Sequence, residues 1–390
     1  MRVKVVKLVP NEFLNESRDL RELSVLSSLN CDITVIAKES TTSNNYGYNV
    51  IRLGTRPVYR WIKNLNINRI ASIFVWAKCV RVQRADIISC HDIDALLIGW
   101  LSNYFKLKKS YLVYDSHEFE YARNDGRNTI QLFIIKHLER FLMKRCAFSM
   151  MVNDSIAEEV VKLHHLKTRP VVVRNIPYYW NLDEQLLFER KVSFKNDYHI
   201  PNEAKIVLYQ GGLMKRRGIE NAIKAVSKLD NVYLLILGNG QKQYIDYLRK
   251  LVIELQLGNH VIFHPAAPYS DLWKYTGIAD IGLCVLENVC KNHYYALPNK
   301  FSEYVQALVP IVSNDFPELK RIIDKYSIGS YCNADNPEEL AVTLKTIIDS
   351  PEILNNYRAN LRKAKSDLCW EKESTILYDA YNNLITKIND

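Results

Sequence analysis

The stretch from Tyr294 to Asn314, Y-Y-A-L-P-N-K-F-S-E-Y-V-Q-A-L-V-P-I-V-S-N, predicts a loop, a short helix and a buried strand in succession. Pro298 disfavours a helical conformation of the residue before it, and Asn299 is then a good N-cap. Four apolar side chains follow at helical spacing, namely Phe301, Tyr304, Val305 and Leu308. Pro310 ends the helix and opens the apolar run of the strand. Such a unit is typical of a parallel α/β sheet.

The start of this helix carries Lys300, and Glu303 follows one turn later. The amino-terminal end of a helix has free N–H groups and a positive dipole end. Together with a cation it suits an anion, most simply a phosphate. An ordinary capped helix with a solvated lysine and glutamate explains the same residues. The phosphate interpretation therefore depends on the remainder of the chain.

Apolar runs of strand length alternate with helical patterns along the whole chain. Six runs precede residue 178, at 3–9, 32–37, 85–90, 110–118, 149–153 and 170–175. Five more follow, at 205–210, 232–240, 260–264, 279–286 and 310–314. Near-continuous apolar strands that alternate with helices are typical of doubly wound parallel sheets.

The pattern predicts two tandem Rossmann-like α/β domains facing across a cleft at the carboxyl ends of both sheets. The first domain spans 1–178, a linker of weak periodicity spans 179–200, and the second domain spans 201–370. A final segment, 371–390, is amphipathic and predicts a packed helix rather than a tail.

The composition is that of a globular protein: 390 residues, 48% hydrophobic and 24% charged. No run approaches the ~18 apolar residues of a membrane span. The first ten residues, M-R-V-K-V-V-K-L-V-P, favour a strand over a signal peptide because lysines interrupt the apolar run. The eight cysteines form no C-x-x-C pair for zinc or redox chemistry. We therefore expect a reduced, cytoplasmic protein.

The net charge of +9 is unevenly distributed. From Arg52 to Arg84 there are eight basic residues and no acidic one, interleaved with the aromatic residues Tyr59, Trp61, Phe74 and Trp76. This pattern suits nucleic acid or an anionic membrane surface, and a solvated basic helical region explains it equally well. No nucleic-acid motif is present. We therefore expect no nucleic-acid partner, and among the functional alternatives we favour peripheral association of 52–84 with the inner face of the cell membrane.

Two glycine-containing turns follow strands of the second domain. G-G-L-M-K-R-R-G occupies 211–218, and L-G-N-G occupies 237–240. Glycines at the end of a strand allow backbone amides to approach an anion, and the basic residues of the first turn add charge. Simple turn geometry explains either motif as well.

In the first domain, a strand ends in the polar residues Asp115, Ser116, His117 and Glu118. His117 there could contact a substrate hydroxyl, and a capping Asp beside a satisfied histidine is the alternative. Asp92-Ile93-Asp94 has the form of a D-x-D metal motif, but it stands where a helix begins and Asp92 serves equally as N-cap. We expect no metal site. No serine or cysteine nucleophile motif is present.

Several motifs, in this order, resemble those of the retaining glycosyltransferases of family 4, which have the two-domain GT-B fold. They are N-E-S-R-D-L-R-E-L (15–23), S-C-H-D-I-D (89–94), L-V-Y-D-S-H-E (112–118), V-V-R-N-I-P (172–177), L-Y-Q-G-G-L-x-x-x-R-G (208–218), L-G-N-G, L-P-N-K-F-S-E-Y (297–304) and C-W-E-K-E (369–373). The A-L-P-N-K-x-x-E-Y block is typical of one branch. The resemblance covers nearly the whole chain and implies that the last helix crosses back to complete the first domain.

The resemblance also implies residue roles. Lys300 and Arg217 would hold the donor pyrophosphate and stabilise the leaving diphosphate, Glu303 would bind the ribose hydroxyls, and His117 would face the donor sugar. The implied donor-binding residues are Gly211, Gly212, Lys215, Gly238, Pro268, Tyr295, Leu297, Pro298, Asn299 and Glu303. The implied acceptor-side residues are Asn15, Arg18, His91, Asp115 and Glu118.

Three positions and one loop depart from the family pattern. The first glutamate of the family's Glu, seven residues, Glu motif is Tyr295, and the arginine of the glycine turn is Gly212. The glycine that usually closes the helix after Glu303 is Leu308. The glycine-rich loop after the first strand is replaced by P-N-E-F-L-N (10–15). The last departure affects the acceptor side more than the donor side.

The predicted function is transfer of a sugar, with retention and without metal or cofactor, from a UDP- or GDP-linked donor to a saccharide or lipid-linked acceptor. Cell-surface polysaccharide or glycolipid assembly is the expected setting. An epimerase or dinucleotide-dependent oxidoreductase is one alternative, but its G-x-G-x-x-G turn with a later acidic residue is absent. A basic membrane or nucleic-acid binding module is the other, and it predicts salt-sensitive binding that is indifferent to nucleotide sugars.

Overall fold

The computed structural model describes residues 2–13, 18–39, 44–54, 65–104, 106–122 and 127–390. The chain divides into two compact units. The first consists of Met1–Asn175 together with Glu373–Asp390, and the second of Ile176–Lys372. Both division points lie close to the expected ends at 178 and 371.

The first unit is built on seven parallel strands. Its elements are β1 (Lys4–Glu12), α1 (Arg18–Ser28), β2 (Asp32–Lys38), β3 (Asn49–Leu53), α2 (Leu65–Val82), β4 (Ile87–His91), α3 (Asp92–Ser102), β5 (Tyr111–Ser116), α4 (Thr129–Met143), β6 (Cys146–Met151), α5 (Asp154–His164) and β7 (Val171–Val172). The strand order is β3-β2-β1-β4-β5-β6-β7. Because the order reverses between β1 and β4, the crevice for a ligand lies at the carboxyl ends of these strands.

The second unit is built on six parallel strands. Its elements are α6 (Glu184–Asp197), β8 (Lys205–Gln210), α7 (Ile219–Val226), β9 (Val232–Leu237), α8 (Lys242–Glu254), β10 (Val261–His264), α9 (Leu272–Thr276), β11 (Ile281–Cys284), α10 (Lys291–Tyr294), α11 (Asn299–Gln306), β12 (Ile311–Asn314), α12 (Pro317–Tyr326), β13 (Gly329–Cys332), α13 (Pro337–Ile348) and α14 (Pro351–Asp367); α15 (Trp370–Asn389) ends the chain. The order is β10-β9-β8-β11-β12-β13, with its reversal between β8 and β11. The predicted pair of doubly wound parallel sheets is confirmed.

The sequence pattern did not predict two of the strands, β3 and β13, and each of them is short or poorly buried. β3 is half exposed over most of its length, and β13, G-S-Y-C, has only four residues. In β13, a Cβ on Gly329 would lie 2.0 Å from the carbonyl oxygen of Ile311, so close backbone approach requires glycine there. Such edge strands carry too few apolar side chains to give a strand-like run.

The expected linker, 179–200, instead contains helix α6 and belongs to the second unit. Asp183 caps this helix by accepting a hydrogen bond from the amide of Leu186 at 2.9 Å. Leu187 and Phe194, seven residues apart, are its buried apolar contacts. With so few apolar positions in a charged helix, the hydrophobic period was too weak to predict it.

The final helix packs on the first unit, as expected. Leu377, Tyr381 and Leu384 lie at helical spacing and are buried. The ring of Tyr381 contacts Phe148 edge-on at 5.2 Å between centroids, and its hydroxyl donates to a carboxylate oxygen of Glu22. No described helix has the length and apolar composition that crossing a bilayer requires.

Within the stretch 294–314, helix α11 begins at Asn299 and its N-cap is Pro298, whose hydrocarbon side chain cannot accept a capping hydrogen bond. The expected N-cap role of Asn299 is therefore wrong. Phe301, Tyr304 and Val305 are buried as predicted. Leu308 lies beyond the helix end, with φ of 58°, so it does not extend the buried helical face. This left-handed conformation is the one that a closing glycine adopts at low cost.

Candidate active site

The glycine turns after β8 and β9 interlock at the carboxyl edge of the second sheet. The amide of Gly211 donates to the carbonyl of Leu237 at 2.9 Å, and that of Leu213 donates to the carbonyl of Asn239 at 2.8 Å. A Cβ on Gly238, whose φ is 158°, would lie 1.9 Å from the carbonyl oxygen of Gly211. Close approach of two backbones therefore accounts for Gly238, and its predicted donor contact stays a prediction.

Lys300 lies beside these turns as a buried cation. Its Nζ has no hydrogen-bond partner in the part of the chain that the structure describes. It lies 3.6 Å from the centroid of the Tyr209 ring, and 3.8 Å from the point where a Cβ of Gly211 would stand. Burial lowers the pKa of Lys300 to about 8, and the positive charge of Arg217 acts in the same direction. A desolvated ammonium with unmet hydrogen-bonding capacity is costly, and an anion at this edge would supply it with acceptors.

Glu303 is oriented by a chain of side-chain hydrogen bonds. The amide nitrogen of Gln210, at the end of β8, donates to a carboxylate oxygen of Glu303 at 2.5 Å. The amide oxygen of Gln210 accepts from the hydroxyl of Thr276 at 2.8 Å. Because both ends of the Gln210 amide are used, the carboxylate is held at the same strand end as Lys300.

The other donor-side residues lie in loops of the same unit. Gly211, Gly212, Lys215, Pro268 and Asn299 are exposed, and Arg217, Tyr295, Leu297 and Pro298 are half-buried. The sequence did not predict a role for Asn239, whose side chain accepts from the amide of Ala266 at 3.1 Å and joins the loops after β9 and β10. A polar residue between two strand-end glycines was the available signal.

The first unit contains a buried ionic cluster that the sequence did not predict. Lys7, in the middle of β1, is fully buried, and its Nζ lies 2.5 Å from Glu22, 3.1 Å from Asp19 and 3.9 Å from Asp115. Burial alone would lower the pKa of Lys7, but the Glu22 and Asp19 carboxylates prevail and raise it. The hydroxyl of Ser89 donates to Glu22 at 2.5 Å. A lysine inside an otherwise apolar parallel strand was the available signal.

Arg18 and Asp115, both predicted on the acceptor side, form a buried pair. Arg18 Nε lies 2.9 and 3.0 Å from the two oxygens of Asp115, and one terminal nitrogen donates to the carbonyl of Val173 at 2.6 Å. Burial alone would raise the pKa of Asp115, but Arg18 and His117 prevail and hold it well below its usual range. Asp115 also lies 3.1 Å from His117 Nε2, so it orients that imidazole.

Two histidines, His91 and His117, contact carboxylates of this cluster, and their ring centroids are 3.8 Å apart. His91 Nδ1 is 2.8 Å from a carboxylate oxygen of Asp19. Burial alone would lower the pKa of His91, but Asp19 prevails and raises it. The side chain of His117 is 23% exposed, so of the pair it is the one that a ligand can reach more easily.

Asp19, His91 and His117 place three ligand atoms within 4.8 Å of one another. The same Asp19 oxygen, however, lies 3.1 Å from the Lys7 ammonium. A fixed positive charge at this distance repels a divalent cation and already neutralises the carboxylate. The geometry of this trio therefore disfavours a metal.

The D-x-D segment does not form a paired carboxylate site. Asp92 accepts a hydrogen bond from the backbone amide of His117 at 3.1 Å, whereas Asp94 is exposed. Helix α3 has His91 as its N-cap, so the alternative capping role of Asp92 is wrong as well. Of the other acceptor-side candidates, Glu118 is half-buried and Asn15 lies outside the described residues.

Loss of the Lys7 cation is expected to destabilise the first unit strongly. Lys7→Met leaves Asp19, Glu22 and Asp115 without their central counter-charge, which costs about 3–5 kcal/mol at neutral pH. Lys7 helps to hold the pKa values of Asp19 and Asp115 below their usual range, so in the variant these two values rise and the loss becomes smaller as the pH falls towards 5. Hydrogen exchange of the β1 amides measures the effect locally. Lys4→Met, on the same strand but exposed, is the control, and equal exchange in both variants would contradict a stabilising cluster.

Comparison with known proteins gives the class of the second unit. Residues 191–364 match the family model described as glycosyl transferases group 1. An uncharacterized glycosyltransferase of Methanocaldococcus jannaschii is 25% identical over 368 residues, covering 87% of this chain and 91% of that protein. LpsE of Rhizobium meliloti, a lipopolysaccharide core biosynthesis glycosyltransferase, is 36% identical over 63 residues, which is 16% of this chain and 18% of that protein.

Solved structures share the fold. The structure of Anabaena HepE in complex with UDP has a TM-score of 0.76 at 13% identity, covering 98% of this chain and 100% of that one. Its complex with UDP-glucose has a TM-score of 0.74 at 14% identity, covering 99% and 100%. The fold is thus that of the GT-B glycosyltransferases. The second unit carries a glycosyl transferases group 1 domain, and the protein is a glycosyltransferase.

Proposed function

We propose that the protein transfers a sugar from a nucleoside diphosphate sugar to a saccharide or lipid-linked acceptor, with retention of configuration and without a metal. The observation that carries the proposal is the buried Lys300 ammonium, which has no hydrogen-bond partner among the described residues and lies beside the exposed backbone of Gly211. UDP and UDP-glucose in the HepE structures support a nucleotide-linked donor. We propose UDP or GDP as the nucleotide of the donor.

In the proposed reaction the bond between the anomeric carbon and the phosphate oxygen breaks, and negative charge grows on the departing diphosphate. Lys300, Arg217 and the amino-terminal end of α11 would stabilise that charge, which is the main catalytic contribution. Glu303, held by Gln210, would accept hydrogen bonds from the ribose hydroxyls. These groups are pre-positioned, so little reorganisation is needed in the transition state.

Retention is proposed to occur by attack of the acceptor hydroxyl on the same face from which the diphosphate leaves. The acceptor oxygen bonds to the anomeric carbon, and its proton passes to the departing phosphate. Glu303 is engaged by Gln210, and the proposal assigns it to the ribose rather than to a covalent sugar intermediate. Mass spectrometry of the enzyme stopped during turnover tests this, because a sugar covalently attached to any side chain would contradict it.

The acceptor side is assigned to the first unit, where Asp115 orients His117 at the end of β5. Similarity to LpsE over part of the chain supports a saccharide or lipid-linked acceptor in cell-surface polysaccharide or glycolipid assembly. We propose that the enzyme works in the cytoplasm at the inner face of the membrane.

Thermal unfolding with UDP, GDP and ADP, each with and without EDTA, tests the donor site. A ligand that binds only the folded protein stabilises it by about 2.7 kcal/mol at a hundred times its Kd. We expect one nucleotide to raise the midpoint by several degrees, equally in EDTA. If no nucleotide shifts the midpoint, the proposed donor site is wrong, and a shift lost in EDTA would contradict metal independence.

Donor affinity is expected to fall as the pH rises through about 8. Below the folded pKa of about 8, Lys300 is an ammonium and can pair with the diphosphate; above it, the neutral amine cannot. We expect the Kd to be constant near pH 7 and to rise by up to about tenfold per pH unit above 8. Isothermal titration from pH 6.5 to 9.5 measures it. Arg217→Lys, which keeps a cation, should retain the slope, whereas a flat profile in the native protein would contradict the role of Lys300.

A further inference from the structure

Helix α4 of the first unit presents an apolar stripe to solvent. Ile130, Phe133, Ile134 and Phe141 follow helical spacing and are between 39% and 71% exposed. The opposite face of the helix buries Glu139, Leu142 and Met143. Exposed apolar side chains grouped on one face of a helix, rather than scattered singly, mark a candidate interaction surface.

Among the described residues of α4 and the two that follow it, the lysine, arginine and glutamate charges that are not fully buried have one sign. Four basic residues accompany it on and just after the helix, namely Lys136, Arg140, Lys144 and Arg145. The acidic residue of the helix, Glu139, faces inward, where it accepts from the hydroxyl of Tyr114 at 2.9 Å and lies 3.0 Å from His164 Nε2. The solvent side of α4 therefore combines apolar side chains with cations.

A series of ring contacts connects the stripe to a basic pocket. Phe141 contacts Trp100 at 5.3 Å between ring centroids, and Trp100 contacts Tyr104 at 6.1 Å. The carbonyl of Tyr104 accepts from Arg81 at 3.2 Å. Arg81 lines a pocket of about 360 Å³ together with Arg84, Lys106, Lys108 and Lys109.

The pocket combines positive charge with an apolar tip. Leu107, between its lysines, projects fully into solvent. The one acidic residue that lines the pocket, Asp86, is paired with Lys108 at 3.3 Å. Burial lowers the pKa of Lys106, and the positive charge of the neighbouring Arg81 acts in the same direction.

We propose that the α4 surface, formed by the stripe Ile130, Phe133, Ile134 and Phe141 and the basic pocket at 81–109, binds an anionic phospholipid bilayer. The apolar side chains enter the headgroup region, and the pocket cations bind lipid phosphates. This surface differs from the membrane contact expected over 52–84, because it is centred on α4. Of the aromatic residues in that stretch, Trp76 is buried, Phe74 is 60% exposed, and Tyr59 and Trp61 lie outside the described residues. Arg81 and Arg84, at the end of the stretch, line the pocket, so the two surfaces overlap there.

Charge decides between a bilayer and a second copy of this chain. A two-fold interface brings the same patch of each copy together, so the cations around α4 would face one another and repel. An anionic bilayer neutralises the same cations. The observed combination of apolar stripe and single-sign charge therefore favours lipid.

Co-sedimentation of the full chain with vesicles tests this surface. Vesicles of phosphatidylcholine with about one third phosphatidylglycerol should bind the protein, and pure phosphatidylcholine should bind it about tenfold less. Binding should weaken as salt increases, because exposed charges are screened. Phe133→Ser with Ile134→Ser should reduce partitioning at least about tenfold, and Arg140→Gln with Lys144→Gln should reduce only the part that depends on phosphatidylglycerol.

Ile130→Ser and Ile253→Ser form a matched pair, because the two isoleucines are 71% and 74% exposed on helices of different units. Only Ile130→Ser should lose vesicle binding. Equal loss in both variants, or binding unaffected by every α4 change, overturns the proposal. A concentration-dependent dimer in sedimentation that Phe133→Ser makes monomeric without any vesicle effect would assign the surface to a second copy. Nucleotide-induced thermal shifts should remain in all variants, which separates this test from that of the donor site.

Discussion

Replacing Lys300 with Met is expected to weaken nucleotide binding at least about a hundredfold and to raise the stability of the free protein. The ammonium is buried and lacks a hydrogen-bond partner among the described residues, so in the free state it is a destabilising charge. In the donor complex the same ammonium would form a charge-assisted hydrogen bond that Met cannot make. Thermal unfolding with and without UDP or GDP measures both effects in one experiment.

The stability gain has a defined pH dependence. The pKa of Lys300 falls from an ordinary 10.5 to about 8 in the folded protein, which corresponds to about 3 kcal/mol. Between these values the unfolded chain binds more protons, so this destabilisation is fully present below pH 8 and is relieved as the pH rises towards 10.5. Lys300→Met should therefore be most stabilising at neutral pH, where its gain is at most that amount.

Lys365→Met is the matched control for this variant. Lys365 is also buried in the second unit, its Nζ lies 4.6 Å from the centroid of the Tyr179 ring, and burial lowers its pKa to about 8. It belongs to α14 and not to the glycine turns, so nucleotide binding should be unchanged. Unaltered nucleotide shifts in Lys300→Met would contradict the proposed donor site. Equal loss in both variants would indicate an indirect effect of removing a buried lysine.

Gly238→Ala is expected to destabilise the second unit by roughly 4 kcal/mol and to disrupt the donor side. A Cβ there would lie 1.9 Å from the carbonyl oxygen of Gly211, and the backbone φ of 158° disfavours any side chain. Relief requires the turns after β8 and β9 to separate. This breaks the hydrogen bond from the Gly211 amide to Leu237 and moves Gly211 away from Lys300. Urea unfolding and nucleotide titration measure the two consequences.

Gly212→Ala is the control that distinguishes the effect of close backbone packing at Gly238 from the effect of replacing any glycine of these turns. Gly212 is the neighbouring residue of the same turn, is exposed, and has open space where a Cβ would be placed. We expect its stability to change by less than about 0.5 kcal/mol. A stable Gly238→Ala protein, or a Gly212→Ala protein equally damaged, would show that the interlocked turns are not required for the fold.

The candidate donor-side residues could be identified from the sequence because each is marked by its immediate neighbours along the chain. Lys300 and Glu303 lie one turn apart at the start of one helix, and the glycines of 211–218 and 237–240 directly follow their strands. Which of these glycines is exposed and which is fixed by a second backbone could not be predicted. That distinction between Gly212 and Gly238 depends on how β8 and β9 pair.

The sequence did not reveal the side chains that surround the acceptor-side candidates, for a physical reason. Asp115 and His117 were identifiable as polar residues at a strand end, but their partners lie far away along the chain. Arg18 is 97 residues from Asp115, and Tyr381 is 359 residues from Glu22. Each of these residues is unremarkable in its local sequence. Only burial in one cluster brings it to its partner and fixes its orientation, and there the cations beside Asp115 lower the pKa of that carboxyl.

The sequence by itself determined the two parallel sheets, most of their strands and the location of the lysine and glutamate of α11, because hydrophobic period and strand-end residues are local properties. Only the tertiary structure decided that Lys300 is a buried cation, that the Lys7 ammonium lies among three carboxylates, and that α4 turns apolar side chains towards solvent. Burial, desolvation and ion pairing depend on the three-dimensional arrangement of distant segments, so no single segment contains that information.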